Sequence, residues 1–408
     1  MNFFLVIFFG TVILLALRRE KKVIGAPSSP LLLVTAFNLA ILALYFITAK
    51  SLGFHPLVIE TLVVLLYGCF LFSLVSFVST VNLRSYVRGH QQIKLQYVSD
   101  CPNRGVVVFA FITIIYMVLR MMAIGINNII EDEDSAALFG AGGLSGHILV
   151  LQIFLATHLI GRKLTISSMS AICGLVFCLF IYNVKAWVII PFLLGWFIRR
   201  DLMGMKMNPI VLILVPVGSF AIFVVSYMMT LGWDSDNMNF IWAHFCKYIY
   251  AGIGGLNEAL SHNYPIGQAP FYGTPSFIRL FFPVDIKTSG VYDYVVINDV
   301  NGEYTNVFSL FGGAYLFNGP FIGSMYILII AVISYLLYKK RLKTRNYWFY
   351  LSYYFWSAGL ILSFFGNYYT LLNIWELTVE AFLVGFWYRN INIKKSTGKL
   401  VQSLNANL

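Results

Sequence analysis

Residues 162–200 read RKLTISSMSAICGLVFCLFIYNVKAWVIIPFLLGWFIRR, an apolar stretch bounded by Arg162-Lys163 and Arg199-Arg200. One membrane helix needs about 20 apolar residues, so 164–198 is too long for one crossing and short for two. The basic pairs decide between them. Lys and Arg gather on the cytoplasmic side of a membrane, so both pairs lie on one side and the stretch is a hairpin of two crossings. Its turn, Tyr182-Asn183-Val184-Lys185, is expected at or just beneath the outer membrane–water boundary.

The same alternation runs outward in both directions. Apolar runs fall near 2–17, 30–49, 56–79, 105–124, 146–160, 164–182, 186–198, 208–230, 309–338, 347–365 and 369–388. Basic clusters follow every second run: Arg18, Arg19, Lys21 and Lys22; Arg84, Arg88, Lys94 and Arg104; Arg162 and Lys163; Arg199, Arg200 and Lys206; Lys339 to Arg345; and Arg389 to Lys399. They hold 22 of the 28 basic residues, and of the 17 acids only Glu20, Asp100 and Asp201 share those loops. The reading is an all-α polytopic membrane protein of about eleven transmembrane helices, with its N-terminus outside and its C-terminus in the cytoplasm. Composition agrees. The chain of 408 residues is 59% hydrophobic and 11% charged, where a soluble domain is nearer about half and a quarter. That excludes a soluble enzyme, a disordered chain and a disulfide-stapled secreted domain. The net charge of +11 follows from the positive-inside pattern, so no nucleic-acid partner is implied.

Three parts follow: helices 1–8 over 1–230, a large external loop over 231–308, and helices 9–11 with a cytoplasmic tail over 309–408. The external loop is aromatic and punctuated by Gly252, Gly254, Gly255, Pro265, Pro270, Pro275 and Pro283. It is too apolar for disorder and too long for a passive connection. An ordered subdomain lying on the membrane face is expected. A second external segment, near 125–145, carries Glu131-Asp132-Glu133-Asp134. The N-terminus lacks a basic region before its apolar run, so no cleavable signal peptide is expected. The five cysteines (69, 101, 173, 178, 246) show no metal or redox spacing, so small buried hydrophobes are expected.

Ionisable groups in or near the bilayer are costly and point to function. Six cations escape the cytoplasmic side: Lys50, Arg120, Lys185, Lys247, Arg279 and Lys287. Lys185 at the hairpin turn calls for an anionic partner, or else snorkels. Arg279-Leu-Phe-Phe-Pro283-Val-Asp285-Ile-Lys287 suits a loop that rests on lipid and binds phosphate through a planar guanidinium fork; an Arg279–Asp285 pair is the alternative. Glu258, Asp285, Asp293, Asp299 and Glu303 are external carboxylates, and His244 and His262 are the imidazoles of that loop. Glu376 and Glu380 share a helix face and either line a cavity or pair inside the bundle. The simplest ligand for cations at the outer boundary is an anionic lipid head group such as a polyprenyl diphosphate. No P-loop, dinucleotide fingerprint, zinc helix or nucleophile elbow is present.

On these features the chain resembles the Wzy-type repeat-unit polymerases of bacterial O-antigen and capsule synthesis. The helix layout with a late periplasmic loop is similar. So are the basic turn Asn183-Val184-Lys185-Ala186, where the family usually has Gly after the cation, and Ile278-Arg279-Leu280-Phe281-Phe282-Pro283 with Lys287. Arg279 to Gly290 fits an Arg-x10-Gly spacing. Thr305-Asn306-Val307-Phe308 through Gly312, Tyr315, Gly319 and Gly323 resembles the segment entering the next helix, with Asn318 where an acid is usual.

The resemblance implies the fold of the C-type glycosyltransferases and O-antigen ligases in a bacterial inner membrane. It implies transfer of the growing glycan from undecaprenyl diphosphate to the non-reducing end of a lipid-linked repeat unit at the periplasmic face. Lys185 and Arg279 would hold the diphosphate, supported by Arg120 and Lys287, with no metal and no cofactor. Glu258 or His262 would accept the hydroxyl proton. Tyr250, Tyr272 and Tyr292, with Trp233 and Tyr248, could stack on sugar rings. Partners would be undecaprenyl-diphosphate-linked oligosaccharides and inner-membrane lipids, with a chain-length regulator and a flippase as candidate protein partners. The rivals are an O-antigen ligase, which would depend on a periplasmic His; a polyprenyl-phosphate-sugar glycosyltransferase, which would use an acidic first external loop where this chain has Lys50–His55; and a lipid-linked oligosaccharide flippase.

Overall fold

A computed structural model describes residues 2–24, 28–90, 104–125, 143–181, 185–203, 237–267, 295–298, 303–343 and 346–387, with scattered positions in 217–234 and 271–281. The helices are α1 (Asn2–Val23), α2 (Pro30–Thr48), α3 (Ile59–His90), α4 (Arg104–Ile124), α5 (Gly143–Ile160), α6 (Ile166–Ile181), α7 (Lys185–Met203), α8 (Asn237–Ser261), α9 (Leu310–Lys343), α10 (Tyr347–Ile361) and α11 (372–387). The protein is an all-α membrane protein. Among the described residues five helices are long and apolar enough to cross a membrane: α1, α2, α3 over Ile59–Val81, α4 and α9. Ser145–Ile160 and Ile166–Ile181 are shorter apolar helices. Hydrogen bonds and ion pairs gather Glu20, Ser28, Ser29, Asp201 and Arg341 at what is called here the basic end, and His55, Glu258, Lys247 and Glu303 around α8, called here the loop end.

Three features depart from the sequence reading. The described part of the external loop packs into the bundle. It supplies α8, whose residues 250–259 are all buried and share one apolar core with the membrane helices. Gly252, Gly254 and Gly255 are not loop punctuation but positions within that helix. A Cβ on Gly252 would stand 2.2 Å from the carbonyl oxygen of Phe364, and one on Gly255 2.8 Å from that of Val307. Small residues thus admit close backbone approach where hydrophobicity alone does not drive helices together.

The second departure is a two-stranded antiparallel hairpin, β1 (Val295–Asn298) with β2 (Glu303–Thr305), in an otherwise helical chain. Four- and three-residue strands are too short for a legible alternation. The third lies in the run at 309–338. α9 breaks at Gly319, whose φ of 73° and ψ of 172° suit only glycine. Pro320 then starts the long arm at a first-turn position, where its missing N–H costs nothing. The short arm, 310–318, folds back so closely that a Cβ on Gly323 would stand 2.3 Å from the Ala314 carbonyl oxygen. Asn318 closes this corner by accepting the Phe271 N–H at 2.6 Å.

Cys69, Cys178 and Cys246 are buried as expected, whereas Cys173 is exposed on α6.

Candidate functional site

Helix α8 presents Glu258 at the loop end, two residues after the buried Leu256. Its neighbour Asn257 staples the first connection to this helix. Asn257 Oδ1 accepts the Val58 N–H at 2.8 Å and the Thr61 hydroxyl at 3.1 Å, and its Nδ2 donates to the Pro56 carbonyl at 3.0 Å. The same connection is held from the other side. Phe54 bridges Asn298 of β1, the His55 N–H donates to the Ile297 carbonyl at 3.4 Å, and the Tyr45 hydroxyl donates to the His55 carbonyl at 2.8 Å. These bonds carry His55 to Glu258 across 203 residues of sequence.

The result is one carboxylate between two imidazoles. Glu258 Oε2 lies 2.5 Å from His55 Nδ1, and Oε1 lies 2.7 Å from His262 Nδ1. The exposures differ: the Glu258 side chain is 8% exposed, His55 22% and His262 62%. An ionised carboxylate only accepts, so each Nδ1 carries the hydrogen. In neutral His262 this leaves the Nε2 lone pair as the acceptor, on a ring that solvent or a ligand reaches. A carboxylate that fixes the tautomer of an accessible imidazole is the arrangement of a general base.

A second charged group joins the same helix, nearer its N-terminus, to β2. Glu303 Oε2 pairs with Lys247 Nζ at 3.0 Å, and Oε1 lies 3.6 Å from His244 Nδ1. The Lys247 ammonium also sits 4.7 Å from the centre of the Tyr304 ring. Cys246, one residue away, is a buried thiol that burial pushes up to about 11. Residues 53–393 match a protein family described as a family of unknown function, DUF6337. The chain belongs to the DUF6337 family. No curated protein and no solved structure matches it. The match begins two residues before His55 and takes in both charged groups, so the site lies wholly within the DUF6337 region.

Of the site residues expected in this DUF6337 chain, Glu258 and His262 are brought together. Arg120, at the loop end of α4, donates from Nη1 to the Ser145 hydroxyl of α5. The Lys185 backbone opens α7, one turn of sequence after α6, as the hairpin reading requires; its side chain lies outside the described residues. Arg279, Lys287, Tyr272, Tyr292 and Glu131–Asp134 also lie outside them.

Tyr250 is a correction. It is 3% exposed, packs edge-on against Tyr45 and Phe54 at 5.2 Å each, and shares a 2.5 Å hydrogen bond with Thr48. It offers no ring face to a sugar. Glu376 pairs with His147 of α5 at 2.5 Å, a partner that the pairing reading did not name. His55 is the residue that sequence reasoning missed. Its only signal was its place in a short external connection, and nothing in that connection points to Glu258.

Proposed function

We propose that this protein is a bacterial inner-membrane glycosyltransferase of about eleven crossings, with its N-terminus periplasmic and its C-terminus cytoplasmic. It would polymerise an O-antigen or related surface polysaccharide on undecaprenyl diphosphate. The observation that carries this reading is the Glu258–His262 pair, a buried carboxylate that orients an exposed imidazole at the loop end of a membrane bundle.

In the reaction a hydroxyl at the non-reducing end of a lipid-linked repeat unit attacks the anomeric carbon of the donor glycan. His262 Nε2 takes the hydroxyl proton as the new C–O bond forms. The bond from the anomeric carbon to the diphosphate breaks, and undecaprenyl diphosphate leaves with the electron pair. Glu258 stabilises the imidazolium that results. Lys185 and Arg279 would face the charge that develops on the leaving diphosphate, supported by Arg120 and Lys287. His55 holds the second oxygen of Glu258 and so positions the carboxylate rather than touching substrate.

The same pair favours one second reading. An O-antigen ligase uses the same donor and would depend on an external His, and His262 meets that description. Deleting the gene in its native strain and running the lipopolysaccharide on a gel separates the two. Core bearing a single repeat unit, without a ladder, identifies the polymerase. Bare core with long glycan retained on undecaprenyl diphosphate identifies the ligase. Bare core with single units held on the cytoplasmic side identifies a flippase and defeats both. Complementation with His262→Ala and Arg279→Ala then tests the residues.

A further inference from the structure

A cleft of about 440 Å³ lies against the N-terminal half of α8. Asn239, Trp242 and Cys246 contribute its floor from one face of the helix, at i, i+3 and i+7. The opposite wall comes from Phe54 of the first connection and from Asn298 and Glu303 of the hairpin, and Phe240 completes the rim. No residue of the Glu258–His262 pair lines it.

Its chemistry is mixed in a specific way. Trp242 and Phe240 both line the cleft and are each 48% exposed, so aromatic surface is accessible there. Asn239 and Asn298 bring amide groups, and Asn298 is held in place by donating to the Leu52 carbonyl at 2.9 Å. Among the described residues Glu303 is the one charged group of the lining, and it is paired with Lys247 Nζ at 3.0 Å. A lipid tail would want apolar walls throughout. A phosphate would want an arginine or lysine facing it, and among the described residues the lining has neither. A pyranose wants a flat aromatic surface for its C–H face and amide or carboxylate partners for its hydroxyls.

We infer that this cleft binds a neutral pyranose, stacked on Trp242 and hydrogen-bonded by Asn239. It shares with the reaction proposed above only its class of ligand. Phe54 faces the cleft while His55, the next residue, faces Glu258. A single extended segment therefore divides the two sites, and a sugar in the cleft is not at the bond being made.

The test uses the full chain in lipid nanodiscs free of glycoside detergent. Saturation-transfer NMR is run with methyl glycosides of glucose, galactose and N-acetylglucosamine, and with methyl glucuronide. At least one neutral glycoside should receive saturation at its ring C–H protons. Binding should weaken about tenfold in Trp242→Ala, the size of one lost stacking contact, weaken in Asn239→Ala, and persist in His262→Ala. Trp242 and Asn239 are both exposed, so these variants are expected to fold, and a monodisperse elution peak checks it. Absence of transfer to every neutral glycoside overturns the proposal and leaves Trp242 and Phe240 as interfacial anchors. Undiminished transfer in Trp242→Ala, or a preference for the glucuronide, overturns it equally. If sugar binds while gene deletion leaves surface glycans intact, the proposed reaction fails and the cleft stands.

Discussion

Buried carboxylates occur at both ends of the bundle, and they are handled in opposite ways. At the basic end Asp201 accepts from Arg341 Nη2, from the Tyr354 hydroxyl and from Ser28 Oγ at 3.0 Å. Arg341 is 4% exposed and stands among the rings of Tyr338, Tyr350, Tyr353 and Tyr354, all 5.0 to 5.3 Å from its guanidinium carbon. Glu20 beside it is 2% exposed and accepts from Ser29, Ser76 and Tyr335. Every partner there is itself enclosed or nearly so. At the loop end Glu258 is as deeply placed, yet one of its two partners, His262, is 62% exposed. Burial of a charge is therefore not by itself a sign of chemistry. The basic-end groups tie α1, α2, α3, α7, α9 and α10 together, whereas the loop-end group presents a polarised side chain at the protein surface.

The largest expected effect breaks this contrast at the loop end. His262→Ala should lower polymer formation by about a hundredfold or more, the range of a lost general base, with the protein level unchanged because the ring is exposed. Retained ladder in the complemented strain would remove His262 from the reaction. At the basic end the expected loss is stability. Arg341→Met leaves Asp201 buried without its cation and should cost about 3–5 kcal/mol, read as a lower melting temperature in detergent. Arg341→Met with Asp201→Asn should recover part of it, and activity per folded molecule should stay near wild type. If that double variant folds but is inactive, the basic end is more than a clamp.

His55→Ala sharpens the comparison within the loop end. A positioning residue should lower turnover by about tenfold, less than a base does, and His55→Asn, which keeps a donor, should restore part of it; equal losses for His55 and His262 would place both at the substrate. The smallest effect concerns Cys246 at the cleft floor. Its thiol is pushed up to about 11 by burial, so the reactive thiolate is about one part in ten thousand at pH 7. Maleimide labelling should be slow at neutral pH and rise about tenfold per pH unit below about 11; rapid labelling at pH 7 would show an open, unperturbed thiol.

Much of the scaffold was legible because membrane constraints act on composition. Backbone polar groups must be satisfied within each crossing, so a crossing helix announces itself as an apolar run, and the described helices other than α8 fall on the expected runs. The two basic pairs called for a division of 164–198, and the stretch is two helices, α6 and α7. The reading failed where a segment is neither fully in lipid nor fully in water. α8 carries glycines that look like loop signals but serve helix packing, and the Gly319-Pro320 corner splits a run that hydropathy joins. Tyr250 looked like a sugar-stacking ring because its exposure could not be read from its type.

The sequence by itself determined the class of the protein, most of its helices and the short list that contained Glu258 and His262. These follow from transfer energies and charge placement, which are properties of residues taken in short windows. Only the tertiary structure decided that His55 meets Glu258, that Asp201 is sealed by Arg341, and that Trp242, Phe54 and Glu303 surround one cleft. Those contacts join segments about 60 to about 250 residues apart, and no local periodicity records which of two distant polar groups will be left facing the other.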